Sequence, residues 1–148
     1  MIFCKVKLDE GAVLPSRAHD TDAGYDLYAR EDFIVPGAEV FGVRAEIGCA
    51  VHDTGVHIEI PQGYVGFLKS KSGLNVKHGI TSEGVIDCGY TGSIVVKLYN
   101  HTRESYKVNK GDKITQLVIL PIATPTLKIV DSLEDTERGT GGFGSTGR

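Results

Sequence analysis

Glycine and proline interrupt this chain so often that a helix of ordinary length has almost nowhere to form. Nineteen glycines and five prolines are spread over 148 residues. Breaks fall at Pro15, Gly24, Pro36, Gly37, Gly42, Gly48, Gly55, Pro61, Gly63, Gly73, Gly79, Gly84, Gly89, Gly92, Gly111 and Pro121. Proline presets φ and removes a donor, and glycine turns the chain where other residues cannot. Between the breaks lie short runs rich in β-branched and aromatic residues, at residues 2–8, 56–60, 64–68, 94–99 and 114–122. Val56-His57-Ile58-Glu59-Ile60 alternates apolar with polar, as a half-buried strand must. The pattern predicts an all-β fold: a jelly-roll-like β-sandwich or distorted barrel with at most one short helix, at residues 73–78.

The length predicts a single domain with a sizeable core. Sixteen Lys and Arg against nineteen Asp and Glu leave a net charge of −3. That excludes a general nucleic-acid binder, which needs a basic face for phosphates. No apolar run approaches the ~20 residues of a membrane span. Met1-Ile2-Phe3-Cys4-Lys5 leads into no signal-peptide core. Cys4, Cys49 and Cys88 are an odd set with no C-x-x-C spacing, which points to free thiols in a reducing compartment. A cytoplasmic protein without nucleic-acid or membrane partners is expected. The five histidines (His19, His52, His57, His78 and His101) show no metal-ligand spacing, and His57 sits on the polar alternate of its strand.

A change of composition at Arg138 divides a β domain, residues 1–137, from a glycine-rich tail, residues 138–148. The tail carries five glycines, hydroxyls, the Phe143 ring, and Arg138 and Arg148. Such a segment cannot build a core. It can close over a nucleotide, with backbone N–H groups and guanidinium for phosphate and an aromatic face for a base. Gly139-x-Gly141-x-x-Gly144 matches the dinucleotide fingerprint in spacing only, because no helix can follow in the four residues left. No Gly-Lys-Ser/Thr of a Walker loop is present.

Elsewhere polar residues cluster beside glycine at four places: Asp22 to Leu27, Lys71-Ser72-Gly73, Gly84 to Gly92, and Gly111 to Gln116. Each alone is what a turn is made of. In order, and followed by the tail, Ala23-Gly24-Tyr25-Asp26-Leu27, Lys71-Ser72-Gly73-Leu74, Gly84-Val85-Ile86-Asp87-Cys88-Gly89-Tyr90-Thr91-Gly92 and Gly111-Asp112-Lys113-Ile114-Thr115-Gln116-Leu117 form a set. With that set the chain resembles the trimeric dUTP pyrophosphatase (dUTPase) family.

The resemblance implies a homotrimer with active sites shared between subunits, and Mg²⁺-assisted hydrolysis of dUTP to dUMP and pyrophosphate. Such a reaction limits uracil incorporation into DNA and supplies dUMP for dTMP synthesis. By that likeness Asp87 is the general base for the attacking water. Tyr90 lies under the deoxyribose and excludes a 2′-hydroxyl. The backbone around Gly84 and Val95 pairs with uracil, and Asp26 holds water in the Mg²⁺ shell. Lys71, Ser72, Gly73 and Gln116 grip the phosphates. Arg138, Gly144, Ser145 and Thr146 cover them, and Phe143 stacks on the base. Two departures stand out: Lys71 replaces the family's usual arginine, and residues 78–83 form a shorter lead into the third motif than in several relatives.

Three rivals are weaker. A dCTP deaminase, or a bifunctional enzyme, shares the fold but relies on a glutamate in the third-motif hairpin, where this chain has Asp87. A nucleotide-responsive regulatory protein would carry an inserted segment between the third and fourth motifs, and residues 100–111 leave room only for a connecting turn. Cys88 has no histidine close by to activate it as a nucleophile.

Overall fold

The structure, a computed structural model, describes residues 2–142. In chain order its strands are β1 (Lys5–Leu8), β2 (Gly24–Tyr28), β3 (Phe33–Val35), β4 (Glu39–Phe41), β5 (Arg44–Glu46), β6 (Gly48–Glu59) and β7 (Tyr64–Lys69). A helix α1 (Ser72–His78) follows, then β8 (Ile80–Ile86), β9 (Ser93–Asn100), β10 (Tyr106–Val108) and β11 (Lys113–Pro121). The main sheet has seven strands ordered β1-β6-β9-β8-β7-β11-β2, and β10-β3 and β4-β5 form two-stranded ribbons. All these pairings are antiparallel.

Two strands change partner along their length. β8 pairs with β9 at residues 80–82 and with β7 at residues 83–86. β6 pairs with β9 at residues 48–53 and again at His57, gains β1 at residues 56–59, and its ladder with β9 shifts around Gly55, whose φ is 67°. A bulge that interrupts the ladder bends the strand and increases its twist. The result is one curled, half-barrel sheet, and the all-β expectation holds.

Alternation fills the concave side. On β9, Ile94, Val96 and Leu98 are buried while Val95 and Lys97 face out. Leu27, Ile60, Leu68, Ile80, Ile114 and Leu117 complete the centre of the core. Each fully buried side chain of this size contributes about 1.5–3 kcal/mol relative to exposure. The helix begins one residue before the predicted 73–78. It ends where Gly79 takes the left-handed conformation and donates its N–H to the Asn75 and Leu74 carbonyls.

Beyond β11 the chain leaves the sheet. Residues 122–142 hold no strand or helix, and Leu127, Ile129 and Leu133 are 92%, 98% and 86% exposed. No helix among the described residues is long and apolar enough to cross a membrane. All three cysteines are free.

Candidate active site

Asp26 lies in the middle of β2 and is only 4% exposed. A carboxylate so placed needs partners, and it has two cations. Lys71 Nζ donates to Oδ1, and Lys113 Nζ lies 2.7 Å from Oδ2. Burial alone pushes the Asp26 carboxyl up, but the hydrogen bonds and charges of Lys113 and Lys71 together outweigh it and hold the carboxyl below its ordinary range. Lys113 is raised in turn, chiefly by its hydrogen bond to Asp26. Two ammonium groups around one carboxylate leave the cluster a positive charge, suited to a phosphate chain.

The chain delivers Lys71 to this point through a set of hydroxyls. Ser70 Oγ accepts the Ser82 N–H at 2.9 Å and donates to the Ser82 carbonyl at 3.2 Å. Thr115 Oγ1 donates to the Lys69 carbonyl at 3.0 Å, so it accepts the hydrogen of Ser82 Oγ at 2.7 Å. These bonds clamp the end of β7 against β8 and β11. Gln116 stands opposite both Asp26 and Lys69 in the ladder, and its Nε2 donates to the Ser70 carbonyl at 3.0 Å. Gly24 makes room for it: a Cβ there would stand 3.0 Å from Gln116 Cβ. Ser72 and Gly73 are exposed beside the cluster, and a Cβ on Gly73 would meet nothing within 4 Å.

A pocket forms at the tip of the β8–β9 hairpin. Val85, Ile86, Asp87, Tyr90 and Val95 line a cavity of about 240 Å³. Tyr90 donates its backbone N–H to the Asp87 carbonyl at 3.0 Å and its Oη hydrogen to the Ser93 carbonyl at 2.8 Å. The ring folds over Gly92, where any Cβ would lie 2.6 Å from Tyr90 Cζ. Gly92 is therefore required by the ring. Asp87 is exposed, and among the described residues no side chain pairs with it.

The Asp26 cluster and the hairpin pocket belong to opposite ends of β7. Lys69 pairs with Glu83, so Asp87 lies four residues along β8 from that rung, about 13 Å at strand rise. Lys71 continues the other way. Arg138 is exposed and donates its Nε–H to the Gly141 carbonyl at 2.9 Å. Phe143, Gly144, Ser145 and Thr146 lie outside the described residues.

A model of the dUTPase family matches residues 10–147. The chain belongs to the dUTPase family. It is 43% identical over 142 residues to the deoxyuridine 5'-triphosphate nucleotidohydrolase of Paramecium bursaria Chlorella virus 1, covering 95% of this chain and 94% of that one. It is 41% identical over 151 residues to the protein of that name from Clostridium acetobutylicum, covering 99% and 98%. A solved dUTPase mutant of Staphylococcus bacteriophage 80alpha with dUpNHpp superposes with a TM-score of 0.87 at 34% identity, covering both chains completely. A mutant dUTPase of phage phi11 of S. aureus, described as coordinating a structural Mg(II) ion, superposes with a TM-score of 0.78 at 34% identity, over 90% of this chain and 100% of that one.

Against the residues expected from the family motifs, the fold brings Asp26, Lys71, Ser72, Gly73 and Gln116 into one region. It brings Asp87, Tyr90 and Val95 into another, with Gly84 beside them on β8. Lys113 is the residue that motif reading passed over. Its only signal was a lysine opening the strand that carries Gln116, and its pairing with a residue 87 positions earlier is visible only in the fold.

Proposed function

We propose that the protein hydrolyses dUTP to dUMP and pyrophosphate. The observation that carries this reading is the division of the dUTPase motifs into two complementary half-sites. One is a cationic cluster around Asp26, and the other is an acid-and-aromatic pocket at the hairpin tip. Asp87 accepts a proton from a water whose oxygen attacks the α-phosphorus. The bond from that phosphorus to the bridging oxygen breaks, and pyrophosphate leaves. Lys71, Ser72, Gly73 and Gln116 hold the phosphates where charge develops. Tyr90, its ring fixed over Gly92, underlies the deoxyribose and leaves no space for a 2′-hydroxyl. The backbone at Gly84 and Val95 reads the uracil edge, where cytosine would set donor against donor. The tail, through Arg138, Phe143, Gly144, Ser145 and Thr146, closes over the substrate and expels water.

Mg²⁺ fits this donor set only as an ion carried by the triphosphate. Among the described residues no three His, Cys, Asp or Glu side chains gather to hold a metal, and both Asp26 oxygens are engaged by lysines. Mg²⁺ keeps its waters readily, and each Asp26 oxygen has a lone pair beyond the one its lysine engages, so Asp26 would hold one of those waters, and the ion when bound would neutralise charge on the phosphates.

The opposite placement of Asp87 and Lys71 along β7 favours a site completed by a second copy of the chain. We assign the protein as a homotrimer with shared sites, in which residues 1–137 form the β domain and residues 138–148 the closing tail. Free cysteines suit a cytoplasmic setting.

Pyrophosphate release tests the reaction, with dUTP, dCTP, dTTP and UTP each in Mg²⁺ and in chelator. Release from dUTP alone, lost in chelator, is the expected result. Release from none of the four, or equally from all, overturns it. Shared sites are tested by mixing unfolded Asp87→Asn and Lys71→Ala chains and refolding them together. Partial recovery of turnover is expected, and no recovery in an assembled mixture refutes sharing.

A further inference from the structure

The hairpin that carries Asp87 and Tyr90 is poorly held by its own strands. β8 and β9 pair with each other only at residues 80–82 and 98–100; beyond that β8 pairs with β7, while β9 stays on β6, at residues 95–100 and again where Ser93 stands opposite His57. The tip spans the gap between diverging strands. What steadies it comes from the bulged stretch of β6. Thr54 Oγ1 donates to the Ile94 carbonyl at 2.7 Å, and Ser93 Oγ donates to Asp53. Those bonds reach the start of β9. One side chain reaches further, into the tip itself: His57.

His57 Nδ1 lies 2.9 Å from the Thr91 carbonyl oxygen, and Nε2 lies 3.2 Å from Asp9 Oδ2. Thr91 is bonded directly to Tyr90 and to the Gly92 beneath its ring. Both partners of the imidazole are acceptors. A neutral ring has one N–H and must leave one of them facing a lone pair, whereas the imidazolium satisfies both.

We propose that His57 is a positioning residue for the hydrolysis, fastening the catalytic hairpin to Asp9 through the Thr91 carbonyl in its doubly protonated form. The proposal rests on the reading above that this hairpin carries the base and the sugar platform. From β1, Lys7 lies opposite His57 in register and 3.6 Å from Asp9 Oδ1, and Lys5 is tied to Glu59 at 3.2 Å. Arg30, after β2, approaches Asp9 Oδ2 at 4.0 Å. On β6, Asp53 is engaged by Ser93 and by the Gly55 N–H at 2.9 Å. The Thr91 carbonyl foremost, and Asp9 next, raise the His57 pKa above its ordinary value, while desolvation and Lys7 oppose them. Asp9 is lowered, chiefly by its hydrogen bond from His57.

A group whose pKa is raised on folding keeps its interaction at low pH and loses it as pH rises through the folded value. The pin is therefore complete below the His57 titration and halved above it. Turnover should show an alkaline decline that follows the NMR titration of the His57 ring. In His57→Gln, kcat should fall roughly tenfold with KM for dUTP little changed, less than the ~100-fold that a 1 Å misplacement can cost. The alkaline decline should vanish with it. Asp9→Asn should leave the ring in place but shift both the titration and the decline to lower pH. Wild-type kcat and pH profile in His57→Gln, or an Asp9→Asn profile that does not move, overturns the proposal. Asp87→Asn run alongside keeps the two claims apart. If it is fully active, the underlying reading fails, whereas if it is inactive beside a normal His57→Gln, only the pin fails.

Discussion

Asp26 and Asp87 are both motif aspartates next to glycine-bearing turns, yet the fold treats them oppositely. Asp26 is taken into the sheet and held between two ammonium groups. Asp87 is left at the rim of a small cavity, open to solvent. A carboxylate with both oxygens engaged organises its neighbours and keeps its charge. A carboxylate with no cation on it is free to take a proton from the water it holds. The difference suits the proposed roles, Asp26 in electrostatics and Asp87 in chemistry, and several substitutions would break or sharpen it.

The largest effect should come from Asp87→Asn, which removes the acceptor for the water's proton. Turnover should drop by about 10²–10⁴-fold, the usual contribution of a general base, with thermal stability unchanged. A destabilised variant would instead make Asp87 a fold residue. Asp26→Asn should do the reverse in stability, because it leaves Lys71 and Lys113 facing a neutral amide. A loss of roughly 2 kcal/mol in denaturant unfolding is expected, with weaker dUTP binding. The pH dependence fixes the sign. The Asp26 carboxyl is held below its unfolded value, so its contribution is present above about pH 4 and fades as pH falls through the lower folded value. The Asn variant should lack that acid-side loss, and unfolding midpoints across pH 2–6 would read it.

Two glycines give finer contrasts. Gly92→Ala must displace the Tyr90 ring, at a cost of about 1–3 kcal/mol, and should raise KM for dUTP. Gly73→Ala meets nothing in the chain itself, so the thermal midpoint should hold or rise slightly. If KM nevertheless climbs, the open space at Gly73 belongs to the ligand. Unchanged KM would remove Gly73 from the phosphate contacts.

Much of this was legible in the chain because glycine and proline spacing is local information. Strand β7, strand β9 and the helix fall within one or two residues of where turn chemistry and alternation put them. Strand β6 was legible only in its second half, as Val56 to Ile60. Its first half runs through Gly48, Asp53 and Gly55, residues that break strands in isolation and here make a bulge. The site was legible as motifs but not as partners. Lys71 and Asp26 are 45 residues apart, and the ion pair between them exists only because β11 brings β2 and β7 to its two sides. Lys113 lay inside the fourth motif without a role of its own, and His57 lay outside every motif, since a lysine after a turn and a histidine on a strand's polar face are ordinary. Their roles depend on acceptors supplied from distant strands.

The stretch after β11 has a kinetic consequence. Leu127, Ile129 and Leu133 project into water from a single chain, and apolar side chains of this kind gain free energy only when something covers them. If other copies provide that cover, specific activity is governed by mass action: it falls on dilution, and recovers on concentration at a rate set by subunit encounter.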